Sequence, residues 1–225
     1  MEQVRGKGIC LIPQNASQAW DPLMRIGKQM TEFIEKTGYS KKEALDLAAE
    51  NLIRCGFEDP VPIMKSYPYT LSGGMSQRAM IAMCLAVEPE VIIADEPTKG
   101  LDTKSVAQVI DLMTMITKEK RTFIMITHDL DVAQCCEEIA VLYSGLIVER
   151  GKSDEVSSNP YHPYTKGLIM AQPKNGMHPI PGDIGLRPDR IGCPFRNRCL
   201  QCDERCTSDV PLTDVRGRTV RCHNA

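Results

Sequence analysis

Residues 91–97, Val-Ile-Ile-Ala-Asp-Glu-Pro, constrain the fold of this chain more than any other stretch of its sequence. The apolar, largely β-branched run predicts a buried strand that ends before Pro97. Asp95 and Glu96 follow directly, at the carboxyl end of the strand, where ligands of open parallel sheets usually bind. The segment therefore predicts a polar site at a sheet edge, and a plain surface turn is the alternative.

A second apolar run at residues 123–127 and three helical patterns, at 40–55, 72–87 and 103–118, surround that strand. Strands that alternate with helices indicate an α/β fold with a parallel sheet. Residues 141–148 predict two strands joined at Ser144-Gly145, and the proline-rich stretch 159–163 then breaks the pattern. Residues 172–192 have the composition of a linker.

Composition excludes several classes of function. The 225 residues are 42% hydrophobic and 25% charged, typical of a soluble globular protein. A net charge of -2 without a dense basic run disfavours nucleic acid as a partner. We find neither a signal sequence nor an apolar stretch long enough to span a bilayer, and so expect a cytosolic protein.

Three further stretches carry candidate site residues. Ile126-Thr-His128 ends the second strand, so His128 is expected at the same edge as Asp95, although a single histidine there is more often structural. Gln14 follows an apolar run near the start of the chain. Ser72, Gly73 and Gly74 open a helix, which predicts a serine cap and exposed backbone amides that favour phosphate.

Taken in order, Gln14, Ser72-Gly-Gly74, Asp95-Glu96, Leu101-Asp102 and His128 resemble the Q-loop, signature, Walker B, D-loop and H-loop of ATP-binding-cassette (ABC) ATPases. Met75 stands where the commonest signature has glutamine, as in the peptide and nickel importers of that family. The resemblance implies a RecA-like P-loop NTPase sheet with an ABC helical subdomain at about residues 20–90. It also implies ATP and Mg²⁺ as ligands.

The same resemblance assigns roles to these residues. Gln14 and Asp95 would serve Mg²⁺, Glu96 the attacking water and His128 the γ-phosphate. Ser72, Gly73 and Gly74 would contact the nucleotide of a partner subunit, with Asp102 in the D-loop beside it.

The Walker A phosphate loop is expected to precede the Q-loop, yet Gln14 stands only a few residues after Met1. The glycines of the stretch 145–153 have the wrong spacing for such a loop, and its interior predicts a strand. We therefore expect a chain that binds ATP poorly by itself. A gene fragment, a split protein completed by another chain and a degenerate subunit are the three explanations.

The C-terminal part narrows the resemblance to oligopeptide, dipeptide and nickel importers. Residues 159–168, Asn-Pro-Tyr-His-Pro-Tyr-Thr-Lys-Gly-Leu, resemble their C-terminal motif, in which we interpret His162 as a packing residue. Five of the ten cysteines follow Ile191. The family motif implies a [4Fe-4S] cluster on Cys193, Cys199, Cys206 and Cys222. Cys202 is an additional thiol, so a zinc site and unligated thiols remain alternatives.

These comparisons imply two domains, a partial nucleotide-binding domain at 1–155 and a cysteine-rich extension at 156–225. The implied partners are a second ABC ATPase subunit, identical or different, two transmembrane permease subunits and, indirectly, an extracytoplasmic substrate-binding protein. The implied location is the cytoplasmic face of the cell membrane. Two rival interpretations are a non-hydrolysing chain that lends its signature motif to a complete subunit, and an iron-sulfur or zinc protein with a relic ATPase half.

Overall fold

We analysed a computed structural model of the chain, which describes residues 8–119, 121–182 and 191–225. The chain divides into two compact units, Met1–Cys135 and Cys136–Ala225. Part of the predicted linker at 172–192 lies outside the described residues. Within the described ranges, no helix is both long enough and apolar enough to cross a membrane.

The first unit is an α/β structure. Its elements are β1 (Ile9–Ile12), α1 (Ala16–Ala19), α2 (Ile26–Glu35), α3 (Lys41–Arg54), α4 (Pro60–Lys65), a 3-10 turn (Pro68–Thr70), α5 (Gly73–Leu85), β2 (Val91–Asp95), α6 (Thr103–Thr117), β3 (Thr122–Ile126) and α7 (Leu130–Ala133).

The three strands form a parallel sheet in the order β1-β2-β3. Ile12 pairs with Ala94, and Asp95 pairs with Ile126, so the three carboxyl ends lie at one edge. This confirms the predicted parallel sheet. One face of the sheet packs into the core through Ile12 and Ile92, whereas the other leaves Leu11 58% and Ile126 53% exposed.

The helices follow from local sequence signals. In α3 the Ser40 side chain accepts from the Glu43 amide while the Glu43 carboxylate accepts from the Ser40 amide, which is a complete capping box. Ala44, Ala48 and Leu52 recur at four-residue spacing and are fully buried. The three predicted helices therefore match α3, α5 and α6 to within a few residues at their ends.

The second unit is built on an antiparallel sheet in the order β4-β5-β7-β6. Its elements are β4 (Glu138–Tyr143), β5 (Leu146–Lys152), α8 (Ser153–Ser158), α9 (Pro163–Met170), 3-10 turns (Pro173–Asn175, Arg196–Arg198 and Glu204–Thr207), β6 (Thr213–Val215) and β7 (Arg218–Val220).

The predicted hairpin at 141–148 is confirmed as the junction of β4 and β5. Ser144 and Gly145 form its turn with φ of 50° and 78°, the left-handed backbone that a tight hairpin requires. The glycine-containing stretch 145–153 is thus largely strand β5, as its sequence predicts.

Buried side chains of opposite charge hold the second unit together. Glu149 on β5 is fully buried and accepts the backbone N–H groups of Tyr161 at 2.8 Å and His162 at 3.0 Å. The Arg218 Nη1 on β7 lies 3.6 Å from its carboxylate and donates to the carbonyls of Glu155 and Asn159. The pair joins the sheet to the segment that carries α8 and α9.

Candidate functional site

The carboxyl edge of the parallel sheet gathers three of the predicted site residues. Asp95 ends β2, Gln14 lies two residues after the end of β1, and His128 lies two residues after the end of β3. The backbone N–H of Glu96 donates to the Ile126 carbonyl at 2.8 Å, which holds the β2 and β3 ends side by side.

Glu96 and His128 are in direct contact. The His128 Nδ1 lies 2.8 Å from each carboxylate oxygen of Glu96. The Glu96 side chain is only 18% exposed, whereas that of His128 is 74% exposed. When Nδ1 carries the proton, His128 donates to Glu96 and leaves its other ring nitrogen free for a ligand.

Glu96 adopts a left-handed backbone with φ of 45°, which is unusual for a residue with a side chain. Backbone strain of this kind is concentrated at functional sites, where surrounding contacts hold it in place. Here two interactions hold the Glu96 backbone in place: the hydrogen bond from its N–H to the Ile126 carbonyl and the contact of its carboxylate with His128. A pre-positioned carboxylate beside an exposed imidazole can orient a water and a phosphate oxygen.

Asp95 is half-buried beside this pair. Within the described residues its carboxylate makes neither a hydrogen bond nor an ion pair. A free carboxylate at a sheet edge suits a hard divalent cation, which prefers oxygen ligands.

The predicted glycine-rich helix start is formed as expected. The Ser72 hydroxyl accepts from the Met75 amide at 3.2 Å and caps α5, while Gly73 is exposed at the first helical position. The amides of the first helical turn have no partner within their own helix, so this end attracts anions. Gly73 also lines a cavity together with Gln14.

Gly74 and Asp102 are linked through Ser105 on α6. A Cβ atom at Gly74 would collide with the Ser105 hydroxyl and come within 2.6 Å of its Cβ. Asp102 caps α6 by accepting from the Lys104 and Ser105 amides, both at 3.1 Å, and from the Ser105 hydroxyl at 2.7 Å. The main cause that holds the pKa of Asp102 below its usual value is the hydrogen bond from the Ser105 hydroxyl. Because Gly74 has no side chain, the first turns of α5 and α6 can pack in direct contact.

The four predicted cluster cysteines line one small cavity in the second unit, of about 10 Å³, which is room for about one water. Among the described residues, no group of three or more His, Cys, Asp and Glu side chains is arranged to hold a metal ion. As it stands, the cavity does not fit a four-iron cluster.

Burial raises the pKa of Cys193, Cys199 and Cys222, and negative charge on neighbouring thiols raises it further. The thiols are therefore protonated near neutral pH in the absence of a cation. A metal would have to displace these protons.

His162 lines the same cavity but already has its own partners. Its Nδ1 accepts from the Tyr164 amide at 3.0 Å, and burial lowers its pKa to about 4. His162 is thus a neutral capping residue of α9, which agrees with its interpretation as a packing residue.

Some residues around these sites were not found from the sequence. Ser105 could have been found, since it stands three residues after Asp102, which directly precedes the predicted helix at 103–118. Lys99 and Gln77 line the cavity with Gln14, but no local pattern singles them out. Glu149 and Arg218 lie on neighbouring strands that are far apart in the sequence, so their pairing leaves no sequence signal.

Comparisons with known proteins place this chain in a family. Residues 2–99 match the family described as "ABC transporter", and residues 148–206 match "Oligopeptide/dipeptide transporter, C-terminal region".

Among curated relatives, the chain is 39% identical to the oligopeptide transport ATP-binding protein AppD of Bacillus subtilis over 98% of this chain and 70% of the relative. It is 37% identical to the dipeptide transport ATP-binding protein DppD of Caldanaerobacter subterraneus over 94% of this chain and 68% of that one. The chain thus spans about two thirds of the length of these relatives.

Solved structures agree. The dimeric ATP-binding cassette MJ0796 bound to ADP and Pi is similar with a TM-score of 0.59 at 28% identity, over 67% of this chain and 65% of that one. CbiO1 of Clostridium perfringens, part of the transporter complex cbiONQ, gives 0.60 at 26% identity over 68% and 60% of the two chains. By its sequence and its fold, this chain belongs to the ATP-binding proteins of the oligopeptide and dipeptide ABC transporters.

Proposed function

We propose that this chain is an ATP-binding subunit of an ABC importer, in which ATP binding and hydrolysis drive transport across a membrane. The contact between Glu96 and His128, beside the free carboxylate of Asp95, is the observation that carries the proposal. It unites the three groups that phosphoryl transfer to water needs at one sheet edge.

The proposed roles follow from position. Glu96 accepts a proton from the attacking water, and His128, when protonated at both ring nitrogens, donates to the γ-phosphate from Nε2. Asp95 and Gln14 would hold Mg²⁺, which supplies charge neutralisation on the phosphates when bound. Asp102 holds the D-loop by capping α6.

The signature residues act on a different nucleotide. We propose that Ser72 and the amides of Gly73 and Gly74 face ATP held by a second ATP-binding subunit, either a copy of this chain or a different one. The capped, anion-attracting end of α5 supports this role.

The transported substrate is proposed to be a peptide. The match of residues 148–206 to the oligopeptide/dipeptide C-terminal region supports peptides, and it gives no separate support to nickel. The complete importer would contain two permease subunits and, outside the membrane, a substrate-binding protein. The chain would then work at the cytoplasmic face of the membrane, with residues 1–155 for nucleotide binding and 156–225 as the extension.

The chain alone is proposed not to turn over ATP. No sequence in residues 1–225 has the spacing of a Walker A loop, and losing four charge-assisted contacts to phosphate would cost at least about 6 kcal/mol. That corresponds to roughly four decades of affinity. In the alternative, non-hydrolysing role, the chain contributes only its signature motif to a complete subunit.

Turnover by the purified chain tests this proposal. We expect the chain to release phosphate from ATP no faster than its Glu96→Gln variant. Turnover that depends on Glu96 in the chain alone would overturn it, and addition of a complete ATP-binding subunit distinguishes the half-site role.

We further propose that Cys193, Cys199, Cys206 and Cys222 ligate a [4Fe-4S] cluster, with the lining of one cavity by all four thiols as support. A cluster is bound at its corners, so the thiols would have to move apart from their present positions. Zinc is the competing metal.

Metal analysis of anaerobically purified protein tests the cluster. We expect about four irons per chain, lost in Cys206→Ala and retained in Cys202→Ala. Stoichiometric zinc without iron would contradict it. If the protein retains metal while Glu96→Gln leaves ATP turnover unchanged in every complex, the result would support the interpretation as a metal protein with a relic ATPase half.

A further inference from the structure

Cys202 differs from the other cysteines of the C-terminal region in its exposure. Its thiol lies on the surface of the second unit, whereas Cys206, four residues further on, is only 6% exposed. Cys202 does not line the cavity into which the four proposed metal ligands converge. The proposed metal site therefore leaves this exposed thiol without a role.

The thiols of Cys202 and Cys206 are neighbours around a single residue, Asp203. The Cys202 thiol donates to the Asp203 carbonyl at 3.8 Å, and the same carbonyl accepts the Cys206 backbone N–H at 3.1 Å. The Cys206 thiol lies 3.8 Å from Asp203 Oδ1. Desolvation raises the pKa of the Cys202 thiol, and the charge of the Cys206 thiol and a hydrogen bond with it raise that pKa further. The two sulfur atoms thus interact directly.

Asp203 is held firmly between the two thiols. Its Oδ2 accepts from Arg205 Nη2 at 2.6 Å and from Asn224 Nδ2 at 3.2 Å. The thiol of Cys222 is engaged elsewhere, because it accepts the Asn224 backbone N–H at 3.3 Å. An accessible thiol with a protected second thiol beside it is the arrangement that redox-sensing pairs use, in which the first is oxidised and the second resolves it.

We infer that Cys202 and Cys206 close a reversible disulfide in the metal-free chain when it meets a small-molecule disulfide such as oxidised glutathione. The Cys202 thiolate attacks one glutathione sulfur, which forms a mixed disulfide and releases one reduced glutathione. The Cys206 sulfur then attacks the Cys202 sulfur, which forms the protein disulfide and releases a second reduced glutathione. Each protein thiol gives its proton to a released glutathione, so two protein thiols are oxidised while one glutathione disulfide is reduced.

The disulfide would also regulate the proposed metal site. Cys206 is one of the four proposed ligands, and a sulfur bound in a disulfide is no longer a thiolate that can bind a metal. Oxidation at Cys202 would therefore block metal loading until the disulfide is reduced. This consequence rests on the proposed metal site, whereas the disulfide itself does not.

Peptide mapping of the full chain tests the disulfide. The chain is stripped of metal with a chelator, reduced, treated with oxidised glutathione at mildly alkaline pH to raise the thiolate fraction, alkylated and digested with trypsin. Cleavage after arginine leaves Cys206 alone in peptide 206–216 and places Cys202 with Cys199 in peptide 199–205. We expect mass spectrometry to find these two peptides joined, and dithiothreitol to separate them.

Two matched serine variants identify the partner of Cys206. Cys202→Ser should abolish the joined peptides, and Cys199→Ser should retain them. The inference would be overturned by the absence of joined peptides, by their persistence in Cys202→Ser, or by a link from Cys206 to the peptide that carries Cys193 or Cys222 instead.

Anaerobic reconstitution with ferrous iron and sulfide tests the regulatory consequence. The reduced chain should take up iron, the chain treated with oxidised glutathione should not, and Cys202→Ser treated in the same way should still do so. Equal uptake by the reduced and treated parent chains would overturn the regulation. Absence of iron in the reduced chain would instead contradict the proposed cluster, and the peptide map would still decide the disulfide.

Discussion

At the scale of single residues, the close approach of Ser105 explains why a glycine stands at position 74. A side chain at Gly74 meets Ser105, whereas a Cβ at Gly73 would lie 3.4 Å from the nearest atom of Leu101, an ordinary contact. We expect Gly74→Ala to lower the free energy of unfolding by about 1–3 kcal/mol through overpacking. Gly73→Ala should stay within about 0.5 kcal/mol of the parent chain. Urea denaturation of both variants checks this, and equal losses would contradict it.

His162 provides a second prediction at this scale. Its pKa of about 4 lies below the usual 6.5, so the unfolded chain takes up a proton first as the pH falls. The contribution of the neutral His162 imidazole to the free energy of unfolding is therefore fully present above pH 6.5, and it is lost as the pH falls toward 4. For metal-free protein we expect a loss of about 2–3 kcal/mol between pH 7 and pH 4.5. His162→Asn can cap α9 without titrating, so it should show a smaller loss, and an identical pH profile would refute the assignment.

At the scale of elements, the buried pair of Glu149 and Arg218 fastens β5 to β7. Arg218→Met would leave the Glu149 carboxylate buried without its cation, and we expect a loss of about 3–5 kcal/mol in the free energy of unfolding. Arg150→Met is the control, because Arg150 and its partner Glu138 are each more than half exposed. That surface pair should contribute at most about 1 kcal/mol. Similar losses in both variants, measured by denaturant titration, would show that the pair is not structural.

The elements also show how far the sequence could predict the site. Alternating strands and helices imply a parallel sheet, and this alone brings Asp95 and His128 to one edge. The direct contact of His128 with Glu96 depends on the left-handed backbone at Glu96, which no sequence pattern predicts. The pairing of β5 with β7 joins Glu149 to Val220 across a long segment that contains α8, α9 and β6, so local periodicity carries no information about it. The motif around Cys193 predicts which thiols converge but not the narrow space between them.

At the scale of the whole molecule, we propose that this chain acts within a pair of ATP-binding subunits. In that arrangement the Asp95 carboxylate and the Glu96–His128 contact would serve one nucleotide, and the anion-attracting α5 end would serve another. Residues 1–225 contain no sequence with the spacing of a Walker A loop, so we propose that they use only the α5 end productively. Substitutions at the sheet edge and at the start of α5 should therefore have different effects on ATP turnover.

The most direct test is ATP turnover by the chain mixed with a complete ATP-binding subunit. Gly73→Glu places a carboxylate at the exposed helix start, where the nearest atom to the new Cβ would be 3.4 Å away, so the fold is expected to tolerate it. We predict that Gly73→Glu abolishes the ATP turnover that appears only when the two proteins are mixed, since the new charge repels phosphate. Glu96→Gln in the same chain should retain most of it. Equal loss from both variants, or loss from Glu96→Gln alone, would contradict the account.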